Sequence, residues 1–278
     1  MKQLLLTALF SILTLGLFNC KKTDVDAPAQ TVTGCKLTQL DRGNGNKHIY
    51  EYNAAGYISQ MTIHFQGASG TGKKEVYVYS FTYNSDNQIT GASITIDGQK
   101  PTQITDWGVG DAVSFKWNNG KLTQVLDQLG SKTILTTTVS YDNQGRIVRL
   151  KAEPVPEWGD PFEKEFMYDA QGNFKSNYYE GGDLIQYEAI TIDPATKSAE
   201  SLQAAHGLPY DIFNVNPWRA NTSQQIDGYE LDKAGKFALA YTVKTTNLVK
   251  NSANVATSQT FDDNGKQRIM TFTLADCQ

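Results

Sequence analysis

The stretch Tyr141-Asp142-Asn143-Gln144-Gly145-Arg146-Ile147 decides the fold, because the chain repeats it. Close copies are Tyr168-Asp169-Ala170-Gln171-Gly172-Asn173-Phe174, Tyr52-Asn53-Ala54-Ala55-Gly56-Tyr57-Ile58 and Tyr83-Asn84-Ser85-Asp86-Asn87-Gln88-Ile89. Leu231-Asp232-Lys233-Ala234-Gly235-Lys236-Phe237 and Phe261-Asp262-Asp263-Asn264-Gly265-Lys266 are weaker copies. Trp117-Asn118-Asn119-Gly120-Lys121-Leu122 is the same unit, one residue shorter. Self-similarity at a period of roughly 30 residues marks one supersecondary unit reiterated around a shared core.

The unit is a hairpin. Asp or Asn suits the first position of a type I turn, and Gly suits the fourth, with φ > 0. A type I turn closed by a left-handed residue is a three-residue hairpin connection with a bulge. Asn87 stands where other copies carry Gly, and Asn is the next residue able to adopt that backbone. Asn119-Gly120 has the composition of a two-residue type I′ turn. With Asp142 opposite Arg146, Tyr141 faces Ile147 across the strands on the same side of the sheet. The same rule pairs Tyr52 with Ile58, Tyr83 with Ile89, Trp117 with Leu122, Tyr168 with Phe174 and Leu231 with Phe237. These pairs predict one continuous apolar row, read as core. A platform for stacking carbohydrate is the alternative use of the same rings.

The interval from Gly172 to Gly235 is about twice the usual spacing, so one copy is lost or displaced, with Ile192 to Lys197 as its relic. Ser198 to Gly207 carries the one helix signal, Ser198 placed to cap its start and Gly207 to end it. Leu208-Pro-Tyr-Asp-Ile-Phe-Asn-Val-Asn-Pro-Trp218 follows as an aromatic-rich irregular insertion, 198–225 in all, expected to fill an open end of the sheet. The predicted fold is all-β, a long antiparallel meander of seven or eight hairpins in a strongly curved or barrel-like sheet. That number of strands exceeds what open twisted sheets usually hold.

Residues 1–19 read as an export signal. Met1-Lys2 precede a Leu-rich run from Leu4 to Phe18 that is too short to span a bilayer and ends at Asn19-Cys20-Lys21-Lys22. Leu17-Phe18-Asn19-Cys20 resembles a bacterial lipobox, which implies that Cys20 is acylated and becomes the first mature residue. Ordinary signal-peptide cleavage near the same place is the alternative. Residues 20–34 then form a polar tether, and 35–278 a single repeat domain. Cys35 and Cys277 stand at the first and last strands, and in an oxidising compartment they are a candidate disulfide, with two free thiols as the alternative. A bridge would need Cα atoms within ~7 Å, hence closure or strong curling of the sheet.

The Tyr-Asp-x-x-Gly-Arg-Ile unit resembles the YD repeat of RHS-type proteins. Its setting, including Leu208-Pro-Tyr and Asn216-Pro-Trp218 between late repeats, resembles Bacteroidetes-type lipoproteins built of degenerate hairpins. The resemblance covers residues 35–278, and its motif is structural, so it transfers no functional residue. It implies a lipid-anchored outer-membrane protein facing the periplasm or the exterior.

Composition is that of a globular protein, with 40% hydrophobic, 11% aromatic and 19% charged residues and a formal net charge of −4. Acidic balance argues against nucleic acid. Gly67-Ala-Ser-Gly-Thr-Gly72-Lys73 matches part of a phosphate-binding loop, but Lys74 stands where Ser or Thr should hold magnesium, and a strand pattern follows. It reads as a hairpin loop, and no nucleotide is expected. By the turn register His48 faces Thr62 with His64 a diagonal step beyond, yet no carboxylate or Cys completes a metal site. Asp262-Asp263-Asn264-Gly265 lacks the downstream Glu of a calcium loop. No catalytic motif, cofactor or metal is therefore assigned.

Glu153 to Glu163 is a Pro-broken acidic loop, and Glu157, Trp158 and Asp160 are candidate ligand contacts, together with Tyr210 and Trp218 of the insertion. Two functions remain open. One is a non-catalytic, lipid-anchored envelope protein that binds a glycan or protein partner or serves a structural role. The other is an envelope hydrolase of glycans or peptides working through Glu157 and Asp160, which would have to flank a cleft at ~5–10 Å.

Overall fold

In the computed structural model, residues 34–66, 74–105, 109–210, 217, 219–232 and 234–277 are described. Residues 1–33, on which the expected leader, acylated Cys20 and tether fall, and the Gly67–Lys73 loop, Trp218 and the side chain of Trp158 lie outside the described residues.

Sixteen strands pair in chain order, and the last closes on the first to make an antiparallel barrel. They are β1 (Lys36–Asp41), β2 (Lys47–Tyr52), β3 (Ile58–Phe65), β4 (Glu75–Tyr83), β5 (Ile89–Ile96), β6 (Ala112–Asn118), β7 (Lys121–Leu129) and β8 (Lys132–Tyr141). Then come β9 (Ile147–Pro154), β10 (Phe162–Tyr168), β11 (Phe174–Glu180), β12 (Asp183–Lys197), β13 (Asn221–Leu231), β14 (Phe237–Lys250), β15 (Ala256–Asp263) and β16 (Lys266–Ala275). Closure removes the unpaired edges that an open meander would expose. Just outside the β1–β16 seam, Cys35 and Cys277 are joined by a disulfide, their Cα atoms 4.1 Å apart.

Each repeat forms its turn through one side chain. Asp142 Oδ1 accepts from the backbone N–H of both Gln144 and Arg146 at 2.9 Å, and Asp169 does the same for Gln171 and Asn173. Asn53 and Asn84 make the equivalent pair of bonds. The Asn173 side chain and these amides hold the Asp169 carboxyl below its usual range. Asn87 adopts φ 59°, the left-handed backbone that Gly145 supplies at φ 80° in its own copy. The facing pairs are as the turn dictates, Tyr141 opposite Ile147 and Tyr83 opposite Ile89, each followed by a bulge.

Strand alternation sends large apolar residues inward. On β4, Tyr77, Tyr79 and Phe81 are buried, while Ser80 and Thr82 are exposed. On β9, Ile147, Leu150 and Ala152 are buried, while Arg149, Lys151 and Glu153 are exposed. These inward side chains join those of the neighbouring strands in one cluster running from Leu37 to Phe272. At ~1.5–3 kcal/mol for each fully buried large apolar side chain, this interior is the main stabilising term. The outer rows of the first half are largely polar, whereas Leu231, Leu239, Val249 and Ile269 are exposed on β13, β14 and β16. Glu51, Gln60, Ser80 and Ser93 follow one another across four strands, and Thr138, Lys151 and Glu163 across three more.

A second feature ties the repeats together. Tyr83 Oη donates to Ile58 O at 2.8 Å, Trp117 Nε1 to Ile89 O at 2.6 Å, and Tyr168 Oη to Ile147 O at 2.9 Å. The aromatic residue of one turn thus caps the carbonyl of the Ile that follows the previous turn. Tyr52 Oη reaches Leu37 O of β1 at 2.7 Å in the same manner.

Several expectations need correction. The segment Ile192–Lys197 ends β12 without forming a hairpin, kinked where Asp193 accepts from Ala195 N, as the Asp of the repeat turns does, and from Thr196 Oγ1. The insertion ends at residue 220 rather than 225, because β13 starts at Asn221. The Asp232 and Asn264-Gly265 turns join β13 to β14 and β15 to β16, at the opposite end of the barrel from the earlier repeat turns. There the β13–β14 bulge sits between Gly228 and Tyr229 instead of beside the turn. The slip sends Leu231 and Phe237 outward, Leu231 to 42% exposure, so the apolar row stops before them. Asn251, whose flanking residues lack the Tyr-Asp pattern of the repeats, makes the same turn at the repeat end by accepting from Ala253 N and Val255 N.

Candidate functional site

The insertion closes the repeat end of the barrel, beside the disulfide. Its helix α1 (Leu202–Ala205) has four residues, shorter than Ser198 to Gly207, and Ser198 supplies a carbonyl to Ser201 rather than a side-chain cap. His206, 1% exposed, sets Nδ1 2.7 Å from Gly56 O and Nε2 3.0 Å from Cys35 O. The Tyr52 ring stands edge-on to it at 5.1 Å. His206 O in turn accepts from Ile58 N. Gly207 follows at φ 96°, where a Cβ would meet the Tyr83 ring at 2.8 Å. Ala199, Leu208 and Tyr210 join the apolar interior. The insertion is therefore a stopper, pinned to the first and second repeat turns.

Between the start of this stopper and strands β13–β16 the interior is not filled. A cavity of about 390 Å³ lies there, reaching β2 and β3 on its other side. One wall is apolar, with Phe65, Ile226, Val243, Phe261, Met270 and Phe272. The remainder is polar, and its buried part comprises His48, Ser198, Thr222, Ser223 and Gln259. Gln259 Nε2 donates to Ser223 O at 2.9 Å and to Thr245 Oγ1 at 2.6 Å, which fixes its amide. Burial, with Arg42 beside it, pushes His48 down to about 3, so its ring is neutral at physiological pH. Tyr50 Oη lies 3.4 Å from its Nδ1.

Three guanidinium groups face two carboxylates in this cavity. Arg42 Nη2 lies 3.8 Å from Glu200 Oε1, and Arg268 Nη2 lies 2.9 Å from Asp263 Oδ2. Arg219 has no such mate, and its Nη1 is buried without a hydrogen-bond partner among the described residues. An unpaired buried donor on a cation is costly, on the order of a few kcal/mol. The cavity's lining thus carries a net positive charge beside an apolar wall.

The residues singled out from sequence do not converge on it. Glu157 and Asp160 sit on the β9–β10 connection at the opposite end, both exposed, with Glu157 3.7 Å from Lys132. Tyr210 is 2% exposed, packed in the stopper instead of displayed on a loop, because the insertion folds inward. Trp218 and the Trp158 side chain lie outside the described residues. His48 pairs with Ile63, not Thr62, because the bulge at Glu51/Tyr52 shifts the register by one. His48 therefore points inward and His64 outward, and the two cannot share a metal. No cluster of metal-ligating side chains occurs among the described residues. Arg42, Arg219, Arg268 and Gln259 were missed, since they meet only through barrel closure. The one local hint was polar residues at inward positions of β13 and β15.

Fold and site together define a closed antiparallel β-barrel with a largely apolar interior that turns polar around the cavity, an outer face that is largely polar in its first half, and a stopper at one end. Solved structures similar to it include a porin-like protein from Bacteroides uniformis ATCC 8492, with TM-score 0.54 and 12% identity, covering 88% of this chain and 100% of that one. A porin-like protein from Bacteroides vulgatus ATCC 8482 has TM-score 0.51 and 13% identity, covering 86% of this chain and 98% of that one. At such identity the likeness is one of fold. No protein-family model and no curated protein matches the chain.

Proposed function

We propose that this chain is a non-catalytic cell-envelope protein of the YD-repeat kind, tethered to the outer membrane by a lipid on Cys20, whose barrel stands in water and binds a small ligand. The observation that carries this reading is the polarity of the barrel. A membrane-spanning barrel turns an apolar band ~25 Å tall outward and keeps its lumen polar. Here Tyr77, Leu150 and Ile58 point inward, and Arg149, Lys151 and Glu163 point outward. A barrel of this polarity needs a separate device to stay at a membrane, and the Cys20 segment supplies one. The exposed positions of Glu157 and Asp160 weigh against the hydrolase alternative.

The test is metabolic labelling with radioactive palmitate, followed by fractionation of wild type and Cys20→Ala. The expected result is label in the membrane fraction for wild type and an unlabelled, released protein for the variant. Equal membrane retention of an unlabelled Cys20→Ala would overturn the anchor.

A further inference from the structure

The geometry points to the cavity between the stopper and β13–β16 as a binding site for a small amphiphilic anion, a carboxylate or phosphate head on an apolar body, with Arg219 holding the head. This rests on the reading of the chain as a ligand-binding barrel, and it names the ligand class. Three observations meet here. The volume, about 390 Å³, lies at the small end of the range of ~300–1,000 Å³ usual for ligand pockets. Two of the three guanidinium groups already have carboxylate partners, and the third, Arg219, lines the cavity without one among the described residues. An anion is the one ligand head that would pair that group and bring the cavity to neutrality, and a planar guanidinium binds a carboxylate or phosphate through two N–H groups. The wall of Ile226, Val243, Phe261 and Met270 then covers an apolar tail. A purely polar anion would leave that wall wet, and a neutral lipid would leave Arg219 unpaired.

Arg219 also borders a second hollow of about 380 Å³ at the repeat end, beside Tyr168 and Pro194, so the test must separate the two. Titration calorimetry of the purified full chain uses decanoate, decanol and inorganic phosphate as probes. Decanoate is expected to bind once per chain, at least tenfold tighter than decanol or phosphate. Arg219→Ala should weaken decanoate at least tenfold without lowering the melting temperature, and Arg219→Lys should restore part of the loss. Ile226→Trp, which fills the cavity and does not border the second hollow, should abolish binding. Equal affinity for decanoate and decanol, unchanged binding in Arg219→Ala, phosphate as tight as decanoate, or decanoate binding retained in Ile226→Trp would each overturn the assignment. None of these results depends on Cys20, so failure here and failure of the anchor are separable.

Discussion

The two halves of the barrel are made from the same repeat and have become different things. Through β11, the repeat turns lie at one end. Their inward pairs are apolar, and Tyr83, Trp117 and Tyr168 each donate to the backbone of the turn before. Beyond β12 the corresponding positions hold Leu231 and Phe261, which have nothing to donate. Their turns lie at the opposite end, and the interior becomes polar, with Thr222, Ser223 and Gln259 buried. A single insertion separates the halves. After it the Asp232 and Gly265 turns join the opposite pairs of strands, where Leu231 and Phe237 face outward and Phe261 lines the cavity, while the Asn251 turn stays at the repeat end. The cavity lies where the second half no longer fills the lumen.

This contrast can be attacked by mutation, beginning with the seam that holds the halves in one ring. Replacing both Cys35 and Cys277 with Ser should cost up to ~5 kcal/mol, the idealised chain-entropy limit for a sequence separation of 242 residues. Urea unfolding with and without reductant measures it. In the dry half, Leu150→Ala removes a side chain with 0% exposure and should cost ~2–5 kcal/mol, read as a lowered urea midpoint. Leu239→Ala on the outer face of β14, 57% exposed, should stay within ~0.5 kcal/mol. If the two variants are equally destabilised, the inward and outward faces are wrongly assigned.

A pH series adds a test of dryness. Burial alone pushes the inward carboxyl of Asp127 on β7 up to about 7. Because the folded value is raised, its contribution is fully present below the unfolded range near ~4 and is lost as pH rises through about 7. Asp127→Asn should therefore be more stable than wild type at pH ~8, by ~1–3 kcal/mol, and no different at pH ~4. The smallest effect concerns the lacing of the repeats. Tyr83→Phe and Tyr168→Phe should each cost ~1 kcal/mol, and Phe261→Tyr should gain nothing, because its turn faces no earlier repeat. Melting curves of the three variants would show it.

What could be read from the chain follows the range of the interactions involved. The turn of Asp142 closes within four residues, so its pairing with Ile147 was legible, as were the strand count and the curvature that follows from repetition. Bulge placement was not, because it depends on neighbouring strands. One displaced bulge turned Leu231 outward, and another set His48 against Ile63. The bonds from each Tyr to the previous repeat explain why Tyr stands in the motif where Phe would pack equally well, and they need the sheet assembled to be seen. Least legible of all was the cavity. Arg42, Arg219 and Gln259 come from three distant segments with no shared spacing, and only closure of the ring brings them together.

On the proposed function this barrel is a water-facing scaffold closed at one end by its stopper, and not a pore. Conductance across a planar lipid bilayer after addition of the purified full chain tests it directly. The expected result is a flat baseline at concentrations where a membrane-spanning barrel would give discrete steps. Stable single-channel openings, reproducible in size and abolished by unfolding the protein, would contradict it.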